Sequence, residues 1–457
     1  MPPLDFLCAT CSRTTSSDSL DPSCRSCGSP VTVAPGAFGR AQPPAPDMAA
    51  SGVWRYRAFL PPVAPGEEVT LGEGATPLLP ARRLGAELGL PGLLIKDESR
   101  NPTGSFLDRG STVLVSLARK LGVAECACLT TGNLGASLAA YCAKAGMEAR
   151  VSVSPSTDRE KLYQMLAYGA QVVAPSRHGR PRGGRTLSVD AANPFLLEGE
   201  KTTCFEVFQD LGWRSPDAVV VPVGTGGHLA MFWRAMKEIE ASGLARPSCR
   251  LYGVQLGGKA PEGLTELSES QPYFLGEAGR CMRVSGGGAL TTDMEAAIRA
   301  MGQLAKSEGV FAEPASSSVI SAVASARREG VLSRDDVVVA VVTGAGLKDT
   351  RAVQRLARSA RRVQVRAGYA AARAQVGDTK VEILRLIAPD GSYGCAIWQR
   401  LSEGRRISTA SVYQHLVELE GMLLVRRGSP EVAGGRERVR YELTRKGAEL
   451  LKVAGRP

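Results

Sequence analysis

Four cysteines have the most telling spacing in the chain. Cys8, Cys11, Cys24 and Cys27 form two Cys-x2-Cys pairs with twelve residues between them. Each pair suits a tight knuckle, and two knuckles supply four thiolates to one tetrahedral Zn²⁺. Two disulfides are the alternative, but these need an oxidising compartment, and the N-terminus lacks the basic-then-apolar pattern of a secretory signal. Four thiolates leave no open coordination position, so the expected role of the metal is structural. The other seven cysteines are scattered singly and read as small buried hydrophobes. A second feature is the run Gly224-Thr225-Gly226-Gly227. A glycine loop between a strand and a helix aims backbone N–H groups at an anion, commonly a phosphate. A dinucleotide site would also need an acidic residue at the end of the next strand, about 20 residues on. That strand, Leu251–Leu256, offers Gln255 instead.

Such groups have to be positioned by regular elements. Between about residues 68 and 348 the pattern alternates strand and helix. Strands are predicted at Leu93–Lys96, Ala127–Thr130, Ala149–Val153, Gln171–Val173, Ala218–Val223 and Val337–Val342. Helices are predicted at Thr112–Leu121, from Leu134 and at Lys161–Tyr168. Apolar strands that end in glycine loops and feed helices indicate a parallel sheet covered on both faces. The Pro/Ala-rich run at 34–52 and the basic, Ala-rich run at 361–378 read as linkers. The expected division is a zinc ribbon at 1–33, an α/β domain at 53–360 and a separate domain at 379–457.

Composition limits the function classes. The 457 residues are 44% hydrophobic and 22% charged, which excludes a mainly disordered chain. Aromatics are only 5%, so Ala, Val and Leu must fill the core. The longest uncharged run considered, Cys126–Ala143, carries Thr, Gly, Asn and Ser throughout and does not suit a membrane span. A cytoplasmic protein is expected. Residues 1–350 hold 35 basic and 35 acidic side chains, whereas residues 351–457 hold 21 and 10. The whole net charge of +11 therefore lies in the last quarter, as in a polyanion-binding module joined to a neutral body.

Ordered motifs then identify a resemblance. Lys96-Asp97-Glu98, Asn101-Pro102-Thr103-Gly104-Ser105-Phe106 and Asp108-Arg109-Gly110 resemble the signature of threonine synthases. So do Leu71–Gly74 with Thr76-Pro77-Leu78, Gly132–Ser137, Glu198–Thr202, Pro222–Gly227, Glu313–Ser316 and Thr343–Asp349. These enzymes depend on pyridoxal phosphate (PLP) and have the tryptophan-synthase-β fold. The resemblance spans about residues 53–350 and includes the zinc ribbon that some members carry. It implies an α/β, fold-type II scaffold of two doubly wound subdomains. It implies that Asn133 meets the cofactor's ring hydroxyl, that Gly224, Thr225, Gly226 and Gly227 hold its phosphate, and that Thr343 meets the pyridine nitrogen.

Position 107 departs from the family. The family places there the lysine that holds PLP as a Schiff base and then moves protons; this chain has Leu107. Leucine does neither, and loss of positioned proton transfer alone costs typically about 10²–10⁴-fold. No catalytic residue is therefore assigned, and PLP is expected to bind non-covalently if it binds. Lys96 fills a strand position of its own. Leu134 stands where the family often has Thr, and Ser176–Arg185 is short and basic where the family has a longer helical stretch. Lys161, in a Lys-x-x-Gln-Met block, either meets a substrate phosphate or lies on the surface.

The last segment reads as helices at Val381–Ile387, from Tyr393 and from Ser408, then strands at Leu424–Arg427 and Arg438–Leu443 around a glycine turn, and a final helix from Thr444. Val412, Leu416 and Leu419 share one helix face, and Ser408 suits an N-cap. This resembles a PadR-like winged helix, whose second helix enters the major groove while a basic hairpin touches phosphates. The resemblance implies base contacts from Ser411, Gln414 and His415, and phosphate contacts from Arg426, Arg427, Arg436, Arg438 and Arg440. A dimerisation module of the same fold is the alternative. The expected function is a DNA-binding regulator on a threonine-synthase-like scaffold, sensing PLP or an amino-acid or phosphorylated ligand, and acting as a homodimer. An active PLP-dependent threonine synthase using another amine, and a non-catalytic partner subunit, are the other two readings.

Overall fold

The computed structural model describes residues 3–38, 45–130, 132–154, 157–173, 186–257, 273–359, 376–388, 391–404, 407–433 and 436–454. The chain divides into two units, Met1–Ala360 and Arg361–Pro457. The first begins with a three-stranded antiparallel sheet of β1 (Leu4–Cys8), β2 (Thr14–Ser17) and β3 (Val31–Val33), with β1 central. Two further sheets follow. The larger has the order β12-β11-β10-β13-β5-β4, from β4 (Leu78–Pro80), β5 (Leu93–Asp97), β10 (Ala218–Pro222), β11 (Arg250–Leu256), β12 (Gly288–Thr292) and β13 (Val338–Val342). All its pairings are parallel but the edge pair β4–β5. The smaller is the parallel set β8-β7-β6-β9, from β6 (Glu125–Thr130), β7 (Glu148–Val153), β8 (Gln171–Val173) and β9 (Thr186–Val189).

Side-chain alternation explains why the larger sheet lies inside. Val338, Ala340 and Val342 join one core with residues of α1 (Arg82–Leu88), α9 (Met294–Glu308) and α10 (Pro314–Arg328). Val339 and Val341 face the opposite core, with Phe205 and Phe208 of α6 (Thr202–Asp210), Phe232 and Met236 of α7 (Gly227–Ala241) and Cys281 of α8 (Leu275–Val284). Both faces are therefore apolar, as a parallel sheet requires. The smaller sheet shares a core with α2 (Asp108–Lys120), α3 (Asn133–Ala145), Met165 of α4 (Arg159–Ala167) and Phe195 of α5 (Pro194–Glu200). The ribbon belongs to that core: the Phe6 and Phe195 rings meet edge-on at 5.9 Å, and Asn193 Nδ2 donates to the Leu20 carbonyl at 2.7 Å. α11 (Thr350–Ser359) closes the unit.

The second unit runs α12 (Asp378–Ile387), β14 (Ser392–Tyr393), α13 (Gly394–Ser402), α14 (Thr409–Gly421), β15 (Val425–Ala433), β16 (Arg436–Leu443) and α15 (Arg445–Ala454). Its three strands are antiparallel, with β16 central. Val381, Ile397, Val412, Leu416, Leu419 and Tyr441 are buried in one core. Ser408 caps α14, its side chain accepting from the Ser411 N–H at 3.2 Å. The hairpin strands run longer than the sequence suggests, to Ala433 and from Arg436, and take in both ends of the expected Val432–Arg436 turn.

Among the described residues, no helix is long and apolar enough to cross a membrane. Of the seven scattered cysteines, six are buried and Cys395 is half-buried.

Candidate functional site

The expected cofactor residues arrive at one place because strands of both sheets end there. Asn133 opens α3 just after β6, and Thr343 follows β13. A hydrogen-bonded chain links them. Asn133 Nδ2 donates to Glu313 Oε1 at 3.2 Å, Ser316 Oγ to the same oxygen at 3.4 Å, and Ser316 Oγ lies 2.8 Å from Thr343 Oγ1. Glu313 and Ser316 were not singled out as site residues from sequence beyond the block they share; the Glu-Pro-Ala-Ser run was the available signal. The Phe106 N–H donates to the Thr343 carbonyl at 3.0 Å, which fixes the loop carrying position 107 beside this chain.

The glycine loop lies at the start of the fifteen-residue helix α7. Gly226 has φ +88°, and a Cβ there would stand 2.8 Å from the Phe274 backbone, so only glycine fits. Thr225 Oγ1 accepts from the Gly227 N–H at 3.2 Å. His228 follows, with its ring stacked on Phe106 at 4.5 Å and Nε2 3.3 Å from Thr203 Oγ1. Burial pushes this histidine down to about 4, so it is neutral near pH 7.

Leu107 is half-buried, holds the N-cap position of α2 and packs against the core of the smaller sheet. By the chemistry of their groups, three of these residues suit a phosphorylated pyridine: the N–H groups of the loop at 224–227 an anion, the Asn133 amide and the Thr343 hydroxyl its polar ring atoms. Position 107 supplies no amine. Lys161 is not a surface residue. It is 1% exposed, with Nζ 3.3 Å from Asp158 Oδ2 and 3.7 Å from Glu313 Oε2. Thr131 and Ser176–Arg185 lie outside the described residues. Leu134 is buried in α3.

Lys96 and Arg109 serve a separate buried ion network. Arg109 Nε and Nη2 donate to both oxygens of Glu98 at 2.6 and 2.8 Å. Its Nη1 and Nη2 donate to both oxygens of Glu206 at 2.8 and 2.6 Å. Lys96 Nζ meets Glu206 Oε2 at 2.9 Å and donates to the Thr76 carbonyl at 2.6 Å. Burial alone would raise the Glu206 carboxyl, but Arg109 and Lys96 outweigh it and hold it ionised.

The four ribbon sulfurs converge. Cys8 Sγ lies 3.5 Å from Cys27 Sγ, Cys11 Sγ lies 3.6 Å from Cys24 Sγ, and all four fall within 4.8 Å of one another. A tetrahedron with Zn–S bonds of about 2.3 Å separates its sulfurs by about 3.8 Å. The thiols gather on one point and do not pair off, which suits a metal. Knuckle N–H groups of Thr10 and Cys11 point at Cys8 Sγ, each at 3.4 Å. The backbone N–H of Ser26 lowers the Cys24 thiol to about 6.

On α14, Gln414 is exposed, while Ser411 and His415 are half-buried. Gln414 Nε2 donates to Glu418 Oε1 at 3.3 Å. The exposed face also carries Tyr413 and Val417, which sequence reasoning passed over. On the hairpin, Arg426 and Arg427 are exposed, and Arg438 and Arg440 half-exposed. Arg426 Nη2 pairs with Glu442 at 2.6 Å, and Arg438 lies over the Tyr393 ring. The Arg436 side chain lies outside the described set.

Comparisons with known proteins bear on the family and the fold. Residues 69–344 match the family described as pyridoxal-phosphate dependent enzyme, and residues 383–453 match the transcriptional regulator PadR-like family. A threonine synthase of Methanocaldococcus jannaschii is 36% identical over 339 residues, covering 66% of this chain and 82% of the relative. One from Methanosarcina acetivorans is 34% identical, covering 66% and 81%. Among solved structures, maize serine racemase is similar in fold, with a TM-score of 0.50 at 16% identity, covering 62% of this chain and 92% of that one. By the match over residues 69–344 and by these relatives, the chain belongs to the pyridoxal-phosphate-dependent enzymes, in the threonine synthase group, and carries a PadR-like domain at residues 383–453.

Proposed function

We propose that this protein is a DNA-binding transcriptional regulator built on a threonine synthase scaffold that has lost its catalytic lysine. Leu107 carries the reading. A residue with no amine stands where the family chemistry begins, while a PadR-like domain lies in the segment that holds the entire charge excess. Zn²⁺ bound by Cys8, Cys11, Cys24 and Cys27 would be structural. PLP would be held by Gly224–Gly227, Asn133 and Thr343 with no bond at position 107. When bound it supplies an electron sink and a reactive aldehyde. The chain's own residues supply its orientation, and the same pocket suits an amino-acid or other phosphorylated ligand.

Two protomers would present two α14 helices to a two-fold site. A ligand shifts such an assembly only through its different affinity for two states. The test is DNA binding by the full chain and by a chain lacking residues 379–457, across a salt series. Salt-dependent binding that disappears with the deletion is expected; no binding by the full chain at low salt would defeat the proposal. The second reading, an active threonine synthase converting O-phosphohomoserine to threonine, has one observation in its favour: the Lys161 amine stands 3.7 Å from Glu313 Oε2, the oxygen that Asn133 also contacts. Phosphate release from O-phosphohomoserine by the purified chain distinguishes it. A non-catalytic partner subunit would instead co-purify with an active synthase.

A further inference from the structure

Among the described residues of the first unit, four lysines are buried. Lys96 is held by Thr76, Glu206 and Asp210. Lys201 lies between Glu198 and Glu238 at 2.7 and 2.8 Å. Lys348 donates to the Thr103 carbonyl at 2.8 Å. The fourth, Lys161, shares a carboxylate with Asn133. Asn133 Nδ2 and Lys161 Nζ stand 3.4 and 3.7 Å from the same oxygen, Glu313 Oε2, so no more than about 7 Å separates them. The path of the side chain is specific. Its Cδ lies 2.3 Å from where a Cβ on Gly132 would be, and Gly132 has φ +150°. The glycine before Asn133 therefore gives the lysine stem room to pass.

Resting on the cofactor-type pocket proposed above, we propose that Lys161 takes over the role vacated at position 107: it captures an aldehyde of the PLP class as an imine, anchored on α4 and not on α2. A ring hydroxyl met by Asn133 would bring its neighbouring aldehyde within reach of Lys161, because both side chains approach Glu313 Oε2. The step balances without an oxidant or reductant. The Lys161 ammonium and the aldehyde yield a protonated imine and one water. A carbon–nitrogen double bond forms, the carbon–oxygen double bond breaks, and the oxygen leaves with two of the three ammonium protons. Glu313 and Asp158, the carboxylates facing Nζ, relay the proton and then offset the iminium charge.

The experiment incubates the full chain with PLP, reduces it with borohydride, digests it and maps phosphopyridoxyl groups by mass spectrometry. One group per chain on Lys161 is expected, well above exposed Lys120 and Lys237, and falling to background in Lys161→Arg. Occupancy relative to those exposed lysines in the native chain decides the matter even if Lys161→Arg folds poorly. PLP retained through gel filtration with Lys161 unlabelled would overturn the imine and leave the pocket reading standing. PLP neither retained nor attached would overturn both. Labelling spread evenly over surface lysines also counts against Lys161.

Discussion

Position 107 is a single side chain at the start of α2, and the proposed function turns on its identity. Leu107→Lys returns an amine to the site, where it competes with Lys161 for the same aldehyde. That variant is expected to gain a reducible attachment at residue 107, absent before, while the attachment on Lys161 falls, read by borohydride trapping and peptide mapping. Glu200 makes a different point at the same scale. It is 3% exposed, has no ion pair among the described residues, and burial raises its carboxyl to about 8. The folded value lies above the unfolded one, so the native state prefers the protonated acid. Stability from this group is full below about 4.5 and is lost as pH rises toward 8. Each pK unit is worth about 1.4 kcal/mol, so the ionised form costs several kcal/mol at pH 8. Glu200→Gln is expected to raise the Tm at pH 8 and change it little at pH 4.5; equal shifts at both would refute the assignment.

At the scale of elements, the glycine loop and the ribbon have the clearest consequences. Gly226→Ala adds a Cβ 2.8 Å from the Phe274 backbone at a left-handed φ. It should weaken phosphate-type ligands at least tenfold by titration while leaving DNA binding in place. The ribbon shares its core with α5 through Phe6 and Phe195, and Arg234 of α7 donates to the Val33 carbonyl. Removing a structural metal with a chelator should therefore lower the Tm of the first unit as a whole. A ribbon that melts alone, with the rest unchanged, would contradict that coupling.

Much of this scale was legible in the sequence. Gln171–Val173 is found as expected, and β5, β6, β7, β10, β11 and β13 differ by two residues or fewer at each end. α2 begins four residues before Thr112, because Asp108 and Arg109 are buried polar residues that periodicity reads as loop. Strand order could not be read, since it depends on contacts between distant segments. The Asn133–Glu313–Lys161 cluster escaped for the same reason: 180 residues separate Asn133 from Glu313. Its partners are joined by the fold and not by spacing.

For the whole molecule, the division of charge matters most. With a net-neutral body and a basic last quarter, the proposed DNA affinity is expected to lie in one unit. Arg427 is exposed, whereas Arg426 is paired with Glu442. Arg427→Ala should reduce the slope of log K against log salt by about one, and Arg426→Ala by less. Equal, negligible effects would remove the hairpin from the interface.

The strand order also sets a timetable. In the larger sheet β13 lies between β10 and β5, yet it is the last of the six strands in the chain. A ribosome will have made β5 and β10 long before residues 338–342 arrive to join them. Until then the two halves of that sheet have no shared neighbour, and their apolar edges stay open. The body is therefore completed late in synthesis, shortly before the PadR-like unit emerges. A chain cut short before β13 would expose those edges and become a substrate for chaperones and proteases, whatever its ligand.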